Sequence, residues 1–148
     1  MGWTIKCHDD KCNQETWATN IVDLIQNHRD ESGWFLCSSC NGHGYIKKSF
    51  SLQEHGQTWN PFLRGIITLG VPGDTYQPFV FIVSNTPEED PDDFWFSYYK
   101  DTRKQEGGRL KLGYGPGGPP VLSTEQIIQL MKTMSNLELI EANTLKDI

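Results

Sequence analysis

The feature that most restricts what this chain can fold into is the placement of its four cysteines, which stand in two close pairs. Cys7 and Cys12 form the first pair, and Cys37 and Cys40 form the second, with 24 residues between the pairs. A pair of cysteines in one tight turn supplies two sulfur ligands, and the intervening segment brings the two pairs together. The spacing therefore predicts one tetrahedral zinc site whose ligands are Cys7, Cys12, Cys37 and Cys40.

Two other interpretations of the cysteines stay open at the level of sequence: buried free thiols, and a redox dithiol at Cys37 and Cys40. A redox Cys-x-x-C usually begins a helix, whereas the residues that follow Cys40 here indicate a turn. Four thiolates close the coordination sphere of zinc and leave no position for water, which predicts a structural ion and not a catalytic one. The longer Cys-x4-Cys spacing of the first pair leaves room for His8 to replace one of its cysteines.

The second pair belongs to the octet CSSCNGHG at residues 37–44, which has the pattern C-x-x-C-x-G-x-G. This octet resembles the zinc knuckle of the DnaJ cysteine-rich region, a motif that DnaJ proteins repeat four times and that occurs once here. The resemblance implies zinc ligation by Cys37 and Cys40, with Gly42 as the turn residue, and implies nothing about chaperone activity. Residues 5–48 as a whole resemble a zinc ribbon with a helix inserted between its two knuckles.

Hydrophobic periodicity predicts the remaining elements. Asn20 is placed to cap a helix whose apolar positions are Ile21, Leu24 and Ile25, followed by His28, and Gly33 ends that segment. Strands are predicted at 34–36, 44–50, 62–69, 79–83, 93–99 and 109–112, and two helices at 123–134 and 137–148, the first with the capping box Ser123-x-x-Gln126 and the apolar stripe Ile127, Leu130, Met131 and Met134.

These elements predict an α+β fold, in which a zinc-ribbon-like module with an inserted helix is followed by an antiparallel sheet and C-terminal helices. We expect residues 1–50 to form the zinc-binding module and residues 51–148 to form the sheet with its helices. We also expect the two parts to pack as one compact unit.

Charge and hydropathy exclude several classes of protein. The formal net charge is −6, and four thiolates on one zinc ion would make it about −8. This balance argues against a protein whose whole surface coats nucleic acid. No window of the sequence is apolar enough to cross a membrane, and residues 1–10 lack the apolar stretch of a signal peptide. We expect a cytoplasmic protein, where a reducing environment favours metal binding over disulfides.

Candidate partner-binding residues lie in the second half of the sequence. The loop at 113–118 fits G-x-G-x-x-G, but its prolines lack N–H groups and no helix follows at once, so a nucleotide site is not expected; the loop instead presents Tyr114. Aromatic residues at 94–99 precede a basic segment at 100–111, a combination that several single-strand binders use. The candidate contact residues are Tyr114, Trp95, Tyr99, Arg103, Arg109 and Lys111.

No nucleophile, base and orienting group form a recognisable catalytic set, and the common catalytic motifs are absent from the sequence. The prediction is a zinc-stabilised, non-enzymatic interaction protein whose partner is another protein. Two alternatives remain: a nucleic-acid-binding zinc-ribbon protein that uses the basic segment 100–111, and a zinc-dependent enzyme of unknown reaction. The sequence does not indicate the oligomeric state.

Overall fold

The computed structural model of the protein describes residues 2–52, 57–71, 73–113, 120–141 and 143. Within these ranges the chain forms nine strands and two helices. In chain order they are β1 (Trp3–Cys7), β2 (Glu15–Ala18), α1 (Ile21–Asn27), β3 (Gly44–Lys47), β4 (Phe50–Leu52), β5 (Gln57–Trp59), β6 (Phe62–Thr68), β7 (Tyr76–Ser84), β8 (Asp93–Asp101), β9 (Leu110–Leu112) and α2 (Thr124–Asn136).

Seven of these strands form one antiparallel sheet in the order β2-β1-β3-β6-β7-β8-β9, and β4 pairs with β5 as a separate antiparallel ribbon. The sheet with its two helices confirms the predicted α+β fold. β7 is buried along almost its whole length, as expected for a central strand covered on both faces. β1 instead alternates between buried and exposed residues, which is typical of a strand with one face toward a core.

Residue contacts divide the chain into two compact units, which are described separately. Unit 1 comprises Met1–Ile66 and Phe81–Trp95. Its core contains Trp3 and Phe81, whose ring centroids lie 5.7 Å apart. α1 begins as predicted, because the side-chain oxygen of Asn20 accepts hydrogen bonds from the backbone N–H groups of Val22 and Asp23, both at 3.0 Å.

Unit 2 comprises Ile67–Val80 and Phe96–Ile148. Aromatic rings contribute much of its packing, with Phe79 and Tyr99 at 6.4 Å between centroids. α2 starts with the predicted capping box, in which Ser123 and Gln126 bond each other's backbone N–H groups. Leu130 is the residue of α2 that is fully buried.

Three sequence predictions about elements need correction. α1 ends at Asn27, well before Gly33. Residues 34–36 form isolated bridges and not a strand, because their partners lie on different segments; Phe35, for example, receives a hydrogen bond from Gly44 and donates one to Arg64. Of the apolar stripe on α2, Ile127 is 40% exposed and Met131 is 37% exposed.

The prediction of a second C-terminal helix is wrong in the part of residues 137–148 that the structure describes. Residues 137–138 form a turn and residues 139–140 a bend, and Glu138 has a φ of 58°, which a continuing helix does not allow. Residues 142 and 144–148 lie outside the described part of the chain. The predicted boundary near residue 50 stays a prediction. In the described ranges, no helix combines the length and apolar character needed to cross a membrane.

Candidate metal centre

The sulfur atoms of the four cysteines lie in one cluster within unit 1. Every pair of these sulfurs is within 4.8 Å, and the cluster links the two sequence pairs crosswise. Cys7 Sγ lies 3.6 Å from Cys40 Sγ, and Cys12 Sγ lies 3.7 Å from Cys37 Sγ. A disulfide would require about 2.05 Å. The four sulfurs therefore surround a common centre where a metal ion could be held.

The first pair of candidate ligands, Cys7 and Cys12, is positioned by the connection between β1 and β2. Cys7 is the last residue of β1, and its N–H donates to the carbonyl of Gln14 at 3.1 Å, which closes the connection. Inside it, the N–H groups of Cys12 and Asn13 both donate to the carbonyl of Asp9 at 3.0 Å. Asn13 takes a φ of 44°, a left-handed conformation that Asn tolerates better than most residues. This turn directs Cys12 toward Cys7.

The second pair of candidate ligands, Cys37 and Cys40, lies in a knuckle closed by its own backbone. Cys37 N–H donates to the carbonyl of Gly42 at 2.7 Å, and Asn41 N–H donates to the carbonyl of Cys37 at 2.9 Å. The residue with positive φ is Asn41, at 58°, and not Gly42, which the resemblance to the DnaJ knuckle implies as the turn residue. Gly42 has another role, since its N–H donates to Cys40 Sγ at 3.4 Å. A Cβ at Gly42 would lie 3.2 Å from that sulfur.

Two contacts attach the knuckle to the strands that carry the first pair. Ser38 N–H donates to Thr16 Oγ1 at 3.0 Å, and the two hydroxyls also lie 3.0 Å apart. Gly44, directly opposite Cys7 in the β1–β3 ladder, approaches β1 so closely that a Cβ would stand 2.5 Å from a methyl carbon of Ile5. The sulfur cluster is thus braced by protein contacts as well as by any ion it holds.

His8 does not join the cluster formed by the four cysteines. Its ring packs edge-on against Tyr45, at 5.0 Å between centroids. Burial, with a smaller contribution from Arg64, lowers the pKa of His8. Its Nε2 is buried, and within the described residues it has no hydrogen-bond partner. The geometry therefore does not favour the possibility that His8 replaces one of the cysteines as a ligand.

Three of the thiols, those of Cys7, Cys12 and Cys37, differ from one another in how readily they ionise. Burial, reinforced by the neighbouring thiols, raises the pKa of Cys7 to about 12, and burial also raises the pKa of Cys12. Burial opposes ionisation of Cys37 as well, but the backbone N–H groups of Cys40 and Ser39 outweigh it and lower the pKa of Cys37 to about 6. The raised pKa values of Cys7 and Cys12 show that this site does not favour four negative charges without a cation at its centre.

The other two histidines of this region have structural partners. His28 follows α1, and its Nε2 lies 3.4 Å from a carboxylate oxygen of Asp23. His43 Nε2 lies 3.1 Å from Asp30 Oδ2. The other oxygen of Asp30 accepts the backbone N–H groups of Ser32, Gly33 and Trp34 at 2.9 to 3.0 Å. These contacts order the segment between α1 and the knuckle.

The structure places the candidate partner-binding residues at several separate positions. Trp95 is half-buried beside Phe81, with 5.2 Å between ring centroids. Tyr99 is only 5% exposed and belongs to the interior of unit 2. Arg103 binds the carboxylate of Asp101 through two nitrogens. The remaining candidates are Arg109 and Lys111, which are exposed on the β8–β9 hairpin, and Tyr114, which lies outside the described residues.

Sequence reasoning missed several residues that organise these regions. Thr16, Ser38 and Asp30 are polar residues whose contacts are with distant segments, so no local motif indicates them. Lys100 was among the basic residues expected to contact phosphates, but its partner in the sheet was not predicted. The register of the β8–β9 hairpin sets it opposite Lys111, and a turn assigned to residues 103–108 would have indicated that pairing.

No protein-family model, no curated protein and no solved structure matches this chain. The site therefore has to be interpreted from its own geometry.

Proposed function

We propose that Cys7, Cys12, Cys37 and Cys40 hold one structural zinc ion. A regular tetrahedron with Zn–S bonds of about 2.3 Å has S···S edges of about 3.8 Å. The crosswise sulfur distances of 3.6 and 3.7 Å lie close to that value. Four thiolates also form the donor set that zinc takes in closed structural sites. Iron would accept the same tetrahedral sulfur set, so metal analysis is part of the test.

The proposed ion stabilises the fold and has no catalytic position. Four sulfurs complete a tetrahedral sphere, and a catalytic zinc needs a place for water or substrate. His8, the group whose ligation would have suggested a mixed site, stands apart from the cluster. A reducing compartment would keep the thiols available for the metal.

We propose further that the protein is a non-enzymatic interaction domain whose partner is another protein. The observation that supports this most directly is Trp17, which is 61% exposed on β2, the terminal strand of the sheet. Edge strands offer free backbone groups to an added strand, and exposed tryptophans are frequent anchors of protein interfaces. β2 follows the connection that carries Cys12, and its Thr16 bonds the second knuckle. Zinc would thus hold the proposed binding strand in place.

The metal proposal is tested by measuring metal content per chain, and thermal unfolding before and after chelation. We expect about one zinc ion per chain and a large loss of stability on chelation, because structural zinc contributes roughly 10–16 kcal/mol in apparent terms. Iron in place of zinc would refute the identity of the ion. A metal-free protein with the same unfolding temperature would refute the structural role.

The interaction proposal is tested by affinity capture with the zinc-loaded protein, the chelated protein and Trp17→Ser. We expect a protein bound in stoichiometric amounts by the loaded form and lost from the other two. Val71→Ser is the matched control, since Val71 is 65% exposed but lies in unit 2. Retention of the same partner by Trp17→Ser would contradict a binding site on β2.

A further inference from the structure

The β8–β9 hairpin in unit 2 brings two lysines directly opposite each other. The register pairs Lys100 with Lys111 and, one position along, Asp101 with Leu110. Side chains alternate along a strand, so the two lysines project from one face and Asp101 from the other. Directly opposed side chains have Cβ atoms about 5 Å apart, and like charges in such pairs are unfavourable. The pairing thus leaves two unneutralised positive charges side by side.

Arg109 adds a third positive charge to the same face. Thr102 N–H donates to the carbonyl of Arg109 at 3.0 Å, and Arg109 N–H donates to Thr102 Oγ1 at 3.1 Å, so this pair forms the next rung of the ladder. Arg109 precedes Lys111 by two residues and therefore lies on its side, about 7 Å along the strand. Lys100, Arg109 and Lys111 are all exposed. These three residues are called the basic face.

The basic face carries no neutralising carboxylate within the described residues. Asp101 projects from the opposite face, where Arg103 binds it through Nε at 2.9 Å and through a terminal nitrogen at 2.8 Å. No ion pair involves a residue of the basic face in the described ranges. The sequence grouped Arg103 with Arg109 and Lys111, but the structure separates Arg103 from them.

An aromatic ring lies at one end of the basic face. Tyr98 precedes Lys100 by two residues and shares its side of β8, but it is only 8% exposed. The ring of Tyr76 lies 5.1 Å from that of Tyr98 and is 38% exposed. Its hydroxyl accepts the N–H of Val121 at 3.2 Å, which fixes its position. The hairpin face thus combines three cations with one accessible ring.

We propose that the basic face binds the phosphate backbone of a single-stranded nucleic acid, and that Tyr76 stacks on one of its bases. Three exposed cations in two rungs of the same face match a chain of negative charges. A tyrosine ring can stack only on a base that is free of a duplex, which favours a single strand. This activity goes beyond the protein–protein interaction proposed above, and it uses a different surface.

The first experiment measures the salt dependence of binding to a labelled oligothymidylate of about 12 nucleotides, with the zinc-loaded full chain. Each phosphate contact contributes a slope of about −0.7 to the plot of log K against log salt. Lys100→Gln, Arg109→Gln and Lys111→Gln should each reduce the steepness by about 0.7, and the triple variant by about 2. Arg103→Gln is the matched control, because it removes the same charge from the opposite face and should leave the slope unchanged.

The second experiment separates nucleic acid from other polyanions. Tyr76→Leu should weaken oligothymidylate binding about five-fold or more at every salt concentration without changing the slope. Inorganic polyphosphate and phosphatidylglycerol vesicles should bind less tightly than the oligonucleotide, and Tyr76→Leu should not affect them.

Three results would overturn the inference: no binding of the oligonucleotide at low salt, an equal loss of slope in Arg103→Gln and Lys111→Gln, or equal affinity for polyphosphate or vesicles with no effect of Tyr76→Leu. Circular dichroism and zinc content of each variant would establish that its fold is retained.

Discussion

The two units depend on different kinds of stabilisation. In unit 1 the connection from β1 to β2 and the segment from α1 to β3 contain few buried apolar side chains, and they meet at the four cysteines. In unit 2 the corresponding order comes from packed rings such as Phe79 and Tyr99, and from a capped helix whose Leu130 is buried.

The difference indicates whether a unit needs stabilisation in addition to its own apolar core. Ring packing and helix capping are encoded by residues that are always present, whereas a thiolate cluster reaches its full stabilisation only with a cation. A structural zinc contributes roughly as much as the whole net stability of an ordinary domain, about 5–15 kcal/mol. Both units should therefore respond to core substitutions, and unit 1 should respond to metal as well.

The largest effect should come from Cys37→Ser, the loss of one buried ligand. We expect loss of bound zinc and of the tertiary structure of unit 1, at an apparent cost on the order of 10 kcal/mol. Zinc content and near-ultraviolet circular dichroism measure both consequences. Ser39→Ala, an exposed change in the same knuckle, should keep the zinc. A folded, zinc-loaded Cys37→Ser protein would remove the proposed difference between the units.

The second-largest loss of stability should come from Leu130→Ala in unit 2. Leu130 is 5% exposed, and truncation of a buried leucine costs about 2–5 kcal/mol. Denaturant unfolding of the zinc-loaded protein measures this loss, and we expect zinc to remain bound in the folded protein. Ile128→Ala on the same helix is the control, because Ile128 is 47% exposed and its loss should change stability by no more than about 0.5 kcal/mol. Release of zinc from folded Leu130→Ala would argue against the comparison.

Alanine substitution of one glycine in each unit should have an intermediate effect on stability and tests the comparison directly. A Cβ at Gly44 would stand 2.5 Å from Ile5, and a Cβ at Gly113 would stand 2.5 Å from the ring of Tyr98. Each alanine substitution should cost about 1–3 kcal/mol through overpacking. Gly44→Ala should also weaken zinc affinity about ten-fold, since it displaces β3 from Cys7, whereas Gly113→Ala should not. Equal zinc affinities in the two variants, measured by chelator competition, would contradict this.

The smallest effect concerns Asp23 in α1. Hydrogen bonds from Asn27 and Thr19 lower the pKa of Asp23 to about 2. Since the folded-state pKa lies below that of the unfolded chain, the contribution is complete above about pH 4 and is lost as the pH falls toward 2. Asp23→Asn should therefore cost about 1 kcal/mol above about pH 4, allowing for partial exposure, and the cost should fall as the pH approaches 2.

The zinc-dependent part of the stability should decrease as the pH falls, because protons compete with the metal for the thiolates. Chemical denaturation at several pH values compares the wild type with Asp23→Asn and with Glu31→Gln, an exposed control. A cost of Asp23→Asn that stays the same as the pH falls toward 2 would contradict the lowered pKa of Asp23.

Local patterns were the part of the structure that sequence predicted well. Asn20 and Ser123 cap their helices as expected, because capping depends on residues only two or three positions apart. The cluster of the four cysteines was also predictable, since two turns must supply two sulfurs each. The turn residue expected in the knuckle was wrong: Asn41 takes the positive φ, and not Gly42. Both residue types tolerate this conformation, so the sequence could not distinguish between them.

Sequence could not predict which side chains are buried, or which residues lie opposite each other in paired strands. Periodicity identified the apolar stripe of α2, but only tertiary packing buried Leu130 and left Ile127 exposed. In the same way, the basic segment contained five cations, and only the hairpin register placed Lys100 opposite Lys111 and directed Arg103 to Asp101. A shift of one residue in that register would exchange the two faces.

By itself the sequence determined the identity and spacing of the four clustered cysteines, the α+β composition of the fold and the capped starts of both helices. These depend on residues close together in the chain, whose geometry is set by the local backbone. The tertiary structure alone decided that Cys7 meets Cys40 while Cys12 meets Cys37, that β2 is an edge strand with Trp17 exposed, and that three of the cations share one face. Such features depend on strand order and register, which follow from the packing of segments that are distant in sequence.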